Sequence, residues 1–314
     1  MATALPLEWV KKTINDQKHL YIFDYRVDSL PDCSALQAAQ NNIASIVTRF
    51  PPPYVLYLSG GSDSQAMLYA WHLSGIPFST YSAVYNENLN FHDLEAMRQF
   101  SYIHNIKINY VEFDLFKFLQ TEHDHFARTY YSGSPQFTSF MKMVDGQKEG
   151  TAIMSGNPLL PTKVVGSYIE YGNNLQLNAI SLYHYARIAN KNFVPYFLLE
   201  SPETTYGFTL NDYTRYFMED TTQYMIAYKM KIALYQSHGF PVLQQVKTTN
   251  GFEKVKEWFD AHYDINTIPN LNKLKIYKQK SMRVFDLLYR TSYEQRIANH
   301  KYIVRSGVKG VKNV

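Results

Sequence analysis

Six consecutive residues, Ser59-Gly60-Gly61-Ser62-Asp63-Ser64, bring together a glycine pair, three hydroxyls and one acid. Glycines let a backbone approach a ligand closely. The serine hydroxyls are donors suited to an anion. The setting gives these residues their chemical meaning. The apolar run Tyr54-Val55-Leu56-Tyr57-Leu58 precedes them and reads as a strand. Behind them Ala66, Met67, Ala70, Trp71 and Leu73 recur at helical spacing, with Gly75 as a stop. A strand, a glycine loop and a helix aim the unpaired N–H groups of the first helical turn, and the positive end of its dipole, at one spot. That spot suits a phosphate. Neither G-x-x-x-x-G-K-[ST] nor G-x-G-x-x-G occurs in the chain, which sets aside the two commonest nucleotide loops.

The elements needed to hold such a loop follow along the chain. Leu20–Phe23 reads as a short strand. Asp32 or Ser34 caps a helix from Ala35 to Phe50, stopped by Pro51-Pro52-Pro53. Strands are expected at Tyr54–Leu58, Phe78–Tyr85, Lys107–Asp114, Thr151–Met154 and Val194–Leu199. Helices are expected at Asp63–Ser74, Asn90–His104 and Leu115–Gln120, and Ser134-Pro135-Gln136 opens another. This alternation predicts an α/β fold: a parallel sheet flanked by helices, with the loop at its carboxyl edge. After Pro202 helical patterns dominate, at Asn211–His238, Phe252–His262 and Lys280–Tyr289. Three regions result: 1–50, an extension packed on the nucleotide domain; 51–200, the α/β domain; and 201–314, a mostly helical C-terminal region.

The motif S-G-G-x-D-S after a strand resembles the PP-loop of the N-type ATP pyrophosphatases, or adenine nucleotide alpha-hydrolases. The chain is closest in character to the synthetase domain of asparagine synthetase. The resemblance implies ATP, with Mg²⁺, cleaved between its α and β phosphates. By the same resemblance Ser59, Gly60, Gly61, Ser62 and Ser64 hold the β and γ phosphates. Asp63 lies beside the magnesium–pyrophosphate, as catalytic residue and metal ligand. Ser82, Ala83 and Val84 correspond, by strand order, to the backbone that reads the adenine edge, although simple strand filling explains them equally well. Gly156, in Ser155-Gly156-Asn157, corresponds to a turn beside the α phosphate, with an ordinary turn as the alternative. Asn157-Pro158 stands where many family members carry acids. The family also places a C-terminal cation on the phosphates. Lys163, Lys278, Lys280 and Arg283 are the candidates, and Lys280 with Arg283, three apart on one helix face, are taken as the catalytic pair.

Other polar groups invite bland explanations. Glu200 and Glu203 could bind an amine or a metal, or merely sit at a helix start. His123-Asp124-His125 reads as a polar loop. No H-E-x-x-H or cysteine pair indicates zinc. The single cysteine, Cys33, favours a reducing compartment and hence a cytoplasmic protein. The N-terminal residues show no signal peptide, and no run is long enough to span a membrane. A net charge of +4 among 314 residues does not indicate a nucleic-acid partner. The 27 tyrosines and 19 phenylalanines supply core bodies and stacking surfaces.

The expected activity is ATP-dependent and forms AMP and pyrophosphate. A carboxylate or amide-type oxygen is adenylated and then attacked by an amine, so the partners are an acyl or amide substrate and an amine donor. The alternatives are a phosphoadenylyl-sulfate reductase-like enzyme, disfavoured because Cys33 precedes the loop, and a non-catalytic nucleotide-binding module.

Overall fold

The computed structural model describes residues 7–10, 19–27, 32–130, 132, 135–156, 161–165, 168–171, 175–208, 224–243, 254–255, 257, 261 and 300–308. Its centre is a five-stranded parallel sheet. In chain order the strands are β3 (Tyr54–Tyr57), β4 (Phe78–Tyr85), β5 (Tyr110–Phe113), β6 (Thr151–Met154) and β9 (Phe193–Val194), arranged β5-β4-β3-β6-β9. The expected parallel α/β sheet is therefore present.

Helices α1 (Ala35–Arg49), α2 (Ser62–Ser74) and α3 (Phe91–His104) belong to the first half. Helices α4 (Leu115–Thr121), α5 (His123–Tyr130), α6 (Pro135–Asp145) and α7 (Leu175–Ile188) follow. Two more, α8 (Pro202–Gly207) and α9 (Tyr224–Ser237), come after the last strand. Strand pleat sorts the core into two layers, because successive side chains point to opposite faces. Tyr54, Leu56, Ile153 and Val194 pack with Ile43, Trp71, Phe100, Ile232 and Tyr235, from α1, α2, α3 and α9. Tyr57, Ala152, Met154 and Phe193 pack with Phe118, Phe126, Met141 and Tyr185, from α4 to α7. The chain thus runs outward from β3 to β5 with α1, α2 and α3 on one face. It then returns to β6 on the other side of β3 and covers the opposite face. The order reverses between β3 and β6, and such a reversal opens a crevice at the carboxyl ends of the strands.

Local signals explain most boundaries. Ser34 caps α1, its Oγ accepting from Gln37 N at 3.2 Å. Gly75 ends α2 in the left-handed conformation, φ 68°. The first expected strand is longer than its pattern and lies elsewhere. β2 (His19–Val27) forms a separate sheet with β1 (Leu7–Val10) and β10 (His300–Val308). β10 runs parallel to β2 from His300 opposite His19 to Val308 opposite Val27, so Arg305–Val308 is strand inside a region expected to be mainly helical. A hairpin, β7 (Pro161–Val165) and β8 (Tyr168–Tyr171), was not legible in the sequence. The segment at His123 is helix α5 rather than loop. The strand expected at Val194–Leu199 is two residues long, followed by a 3-10 turn at Phe197–Leu199. Among the described residues no helix is long and apolar enough to cross a membrane.

Candidate active site

Leu58 extends the ladder one step beyond β3, donating to Tyr81 O at 2.8 Å. The chain then turns through Ser59 and Gly60 into α2. Gly60 has φ +93°, and a Cβ there would lie 1.9 Å from Asp93 O. Only glycine fits, because the loop rests on the backbone of α3. Gly61 is different. Its φ of −66° suits any residue, and a Cβ would meet nothing closer than Ser59 Oγ at 3.6 Å. The chain's own packing gives no reason for glycine at 61. A bare, open position at a helix N-terminus is what close approach of an anion requires. No side chain caps α2, so the first-turn N–H groups of Ser62, Asp63 and Ser64 lack helical partners. Ser59 and Ser64 brace the loop, their Oγ atoms 2.9 Å apart and Ser59 N donating to Ser64 Oγ at 3.1 Å. Gln65 locks it from behind, with Nε2 donating to Gly60 O at 3.0 Å and Oε1 accepting from Leu243 N at 2.8 Å.

Asp63 projects from the first turn of α2 and meets α9. Lys231 Nζ lies 2.7 Å from Asp63 Oδ1 and 2.8 Å from Oδ2. Tyr235 donates to Asp63 Oδ1 at 2.5 Å. Lys231 and Tyr235 are one helical turn apart, so both reach the same carboxylate. Burial, and then the Asp63 charge, push the Tyr235 hydroxyl well above its ordinary pKa. It therefore stays a donor. A lysine from the C-terminal part thus stands at the loop, and it is Lys231, which the sequence reading passed over. Lys278, Lys280 and Arg283 lie outside the described residues, and so does the side chain of Lys163. Lys231 stands one turn before Tyr235, inside the helical pattern that ends at His238, and no local signal marks it out.

In front of the loop lies a cleft of about 370 Å³. It is lined by Ser59, Asp63 and Ser64, by Ala83 and Tyr85 of β4, by Asn90 and Asp93 at the start of α3, and by Ser155 and Gly156 after β6. Asp93, 7% exposed, is a second acid that the sequence reading did not single out. Of the three β4 candidates only Ala83 lines the cleft. Ser82 N donates to Asn109 O at 2.9 Å and its Oγ donates to Leu58 O at 3.1 Å, while Val84 faces Glu112 across the ladder with β5. The Asn90 amide straddles the β4 edge, donating to Ala83 O at 2.7 Å and accepting from Tyr85 N at 3.0 Å. The Asn90 side chain thus occupies those two edge groups. Gly156 does border the cleft, but its φ of +64° and the approach of Tyr196 Cδ1, 2.3 Å from a built Cβ, already require glycine. Asn157 and Pro158 lie outside the described residues.

Several candidates fall away from the cleft. Glu200 is buried against Arg49, 3.0 Å away, and accepts from Tyr183 at 3.5 Å. Burial outweighs the Arg49 charge and raises its pKa to about 7. It joins the end of α1 to the region after β9 and lines no part of the cleft. His123 Nδ1 lies 2.8 Å from Thr138 Oγ1, an α5–α6 contact. Cys33 is half-buried, and burial, then Glu203 and Asp32, raise its pKa, the opposite of an activated thiol. Among the described residues no group of three or more His, Cys, Asp or Glu could enclose a metal ion. Beside the loop, Asp63 and the buried Asp93 offer carboxylates. Mg²⁺ suits one or two carboxylates completed by phosphate oxygens, so this donor set fits it together with a nucleotide.

No protein-family model matches this chain, and no curated protein matches it. Among solved structures it is similar to the NMN synthetase from Francisella tularensis, at 12% identity and a TM-score of 0.30, over 68% of this chain and 98% of that chain. That likeness assigns neither a ligand nor a reaction to this chain.

Proposed function

We propose that this protein is an ATP-dependent synthetase of the PP-loop type, which cleaves ATP between the α and β phosphates to activate an acyl group. The observation that carries the reading is Gly61, with its ordinary φ and open space in front of an uncapped helix. The N–H groups of Ser62 to Ser64 and the Ser59 and Ser64 hydroxyls hold the β and γ phosphates. Asp63 would hold Mg²⁺, which would supply positive charge against the phosphates. Lys231, paired with Asp63 beside the loop, would supply a cation to the phosphates. Positioning and charge stabilisation supply the acceleration.

In the reaction, an acyl carboxylate oxygen forms a bond to the α-phosphorus. The bridging bond from that phosphorus to the β-phosphate oxygen breaks, and pyrophosphate leaves with its electron pair. An amine then attacks the acyl carbon, AMP leaves, and the amine's surplus proton passes to solvent. Product analysis tests this. With Mg-ATP, an acid and an amine, AMP and pyrophosphate in equal amounts are expected. ADP and phosphate as the main products overturn the reading.

A further inference from the structure

Among the described residues, the charged side chains that line the cleft lie on one side of it. Its two acids, Asp63 and Asp93, stand at the starts of α2 and α3, on the β3–β4 side, where Lys231 also arrives. Across β3, Met154, Leu182, Pro195 and Tyr196 line it with Ser155 and Gly156, while Gln136, Phe137, Phe140 and Met143 of α6 cover it from the face of the sheet. Met154, Leu182 and Tyr196 are buried in the hydrophobic layer that α4 to α7 share, and Phe137 and Phe140 pack against it. Among the described residues that line this half, none carries a charge. The loop stands where β3 ends, between the two halves. A nucleotide held there by its phosphates, with its base toward β4, would leave the side of Met154, Leu182 and Tyr196 to the second substrate.

Resting on the proposed function, we infer that the activated substrate is a carboxylic acid whose remaining body is uncharged and apolar, an aryl or short alkyl acid. Its carboxylate points at the loop, and its body lies among Phe140, Met154, Leu182 and Tyr196. A second carboxylate, a phosphate or an α-ammonium would be stripped of water there with no oppositely charged partner among the described residues that line it. Burying an unpaired charge costs far more than burying apolar surface gains. Amino-acid side-chain carboxylates and nucleotides are thereby disfavoured. Flat apolar bodies also suit the rings of Phe137, Phe140 and Tyr196.

The test is ATP–pyrophosphate exchange by the full chain, using labelled pyrophosphate and Mg²⁺. One set of acids is phenylacetate, cinnamate and hexanoate; the other is aspartate, glutamate and succinate. Mg-ATP binding is measured alongside by calorimetry. Exchange at least tenfold faster with the best apolar acid is expected. Faster or equal exchange with the charged set overturns the inference and leaves the ATP chemistry standing. So does Mg-ATP binding without exchange for any acid, since the class named is then wrong. Absence of Mg-ATP binding overturns the proposed function, and the inference with it. As a second arm, Phe140→Lys should cut exchange with the apolar acids at least tenfold and raise it with succinate. Circular dichroism melting establishes that the variant is folded, and Phe137→Lys replaces it if it is not. A folded variant of either kind with unchanged acid preference counts against the inference.

Discussion

Replacing Lys231 by Met separates two jobs that the α9 lysine is given. In the free protein Lys231 neutralises Asp63 at 2.7 Å, and the two side chains are only 17% and 16% exposed. At an effective dielectric of about 20 the gross attraction is several kcal/mol, most of it offset by the cost of desolvating both groups. Removing one partner leaves the other's desolvation uncompensated. Lys231→Met should therefore lower unfolding stability by about 2–3 kcal/mol in urea at pH 7, less than the roughly 3–5 kcal/mol of a fully buried pair because both side chains keep some contact with water. Tyr235 still donates to Asp63, which limits the loss. Asp63→Asn should cost less, about 1–2 kcal/mol, because lysine can carry its charge towards water. The double variant should be less damaged than the sum by about 1–2 kcal/mol, within the roughly 0.5–3 kcal/mol found for directly touching pairs. If the two losses add to within about 0.5 kcal/mol, the pair does not couple α2 to α9 and the reasoning fails. The second job shows in calorimetry. A cation's hydrogen bond to phosphate contributes about 1.5–3 kcal/mol, so Mg-ATP should bind roughly 10- to 150-fold more weakly to Lys231→Met. Unchanged affinity would leave Lys231 a purely structural partner.

Three further outcomes are expected. Gly60→Ala should lose at least about 3 kcal/mol of stability in denaturant titration, since both its φ of +93° and the 1.9 Å approach to Asp93 O forbid a Cβ. Cys33→Ser should keep turnover near that of the parent, because the thiol is not activated and lines no part of the cleft; a folded, ATP-binding but inactive variant would point to thiol chemistry instead. The Glu200 carboxyl has a folded pKa of about 7 against an ordinary 4.5, so the folded state holds its proton more tightly than the unfolded state. Stability from this group is full below pH 4.5 and is lost as pH rises to about 7. Urea titrations from pH 4.5 to 8 should show that fall in the parent and a flatter profile in Glu200→Gln.

The sequence was most legible where chemistry and local structure coincide. The strand at Tyr54, the loop at Ser59–Ser64 and the Gly75 stop are all short-range signals, and each lies where the residues indicated. Ser34, Pro51 and Gly75 act within a turn of themselves, so one stretch of chain suffices to read them. Lys231 was not legible because its role depends on α9 docking 168 residues away from Asp63. Nothing in its own neighbourhood separates it from the chain's other lysines. Glu200 looked like a ligand beside a turn. Only the return of α1 reveals that Arg49 meets it. The β2–β10 pairing joins residues at opposite ends of the chain, and the strand pattern of β10 is broken by Arg305 and Gly307. The Asn90 amide bridging Ala83 and Tyr85 is a tertiary detail of a tight turn, invisible to periodicity.

Calorimetry of Mg-ATP on the parent and on Gly61→Val tests the central claim, that this loop holds the phosphates of ATP. Valine tolerates the backbone at 61, where φ is −66°, and its side chain would occupy the open space in front of α2. The poorer helix cap costs about 1 kcal/mol, which leaves the variant folded. The account predicts magnesium-dependent ATP binding by the parent and its loss, by a hundredfold or more, in a variant whose melting curve remains cooperative. Equal affinity in the two folded proteins would contradict it.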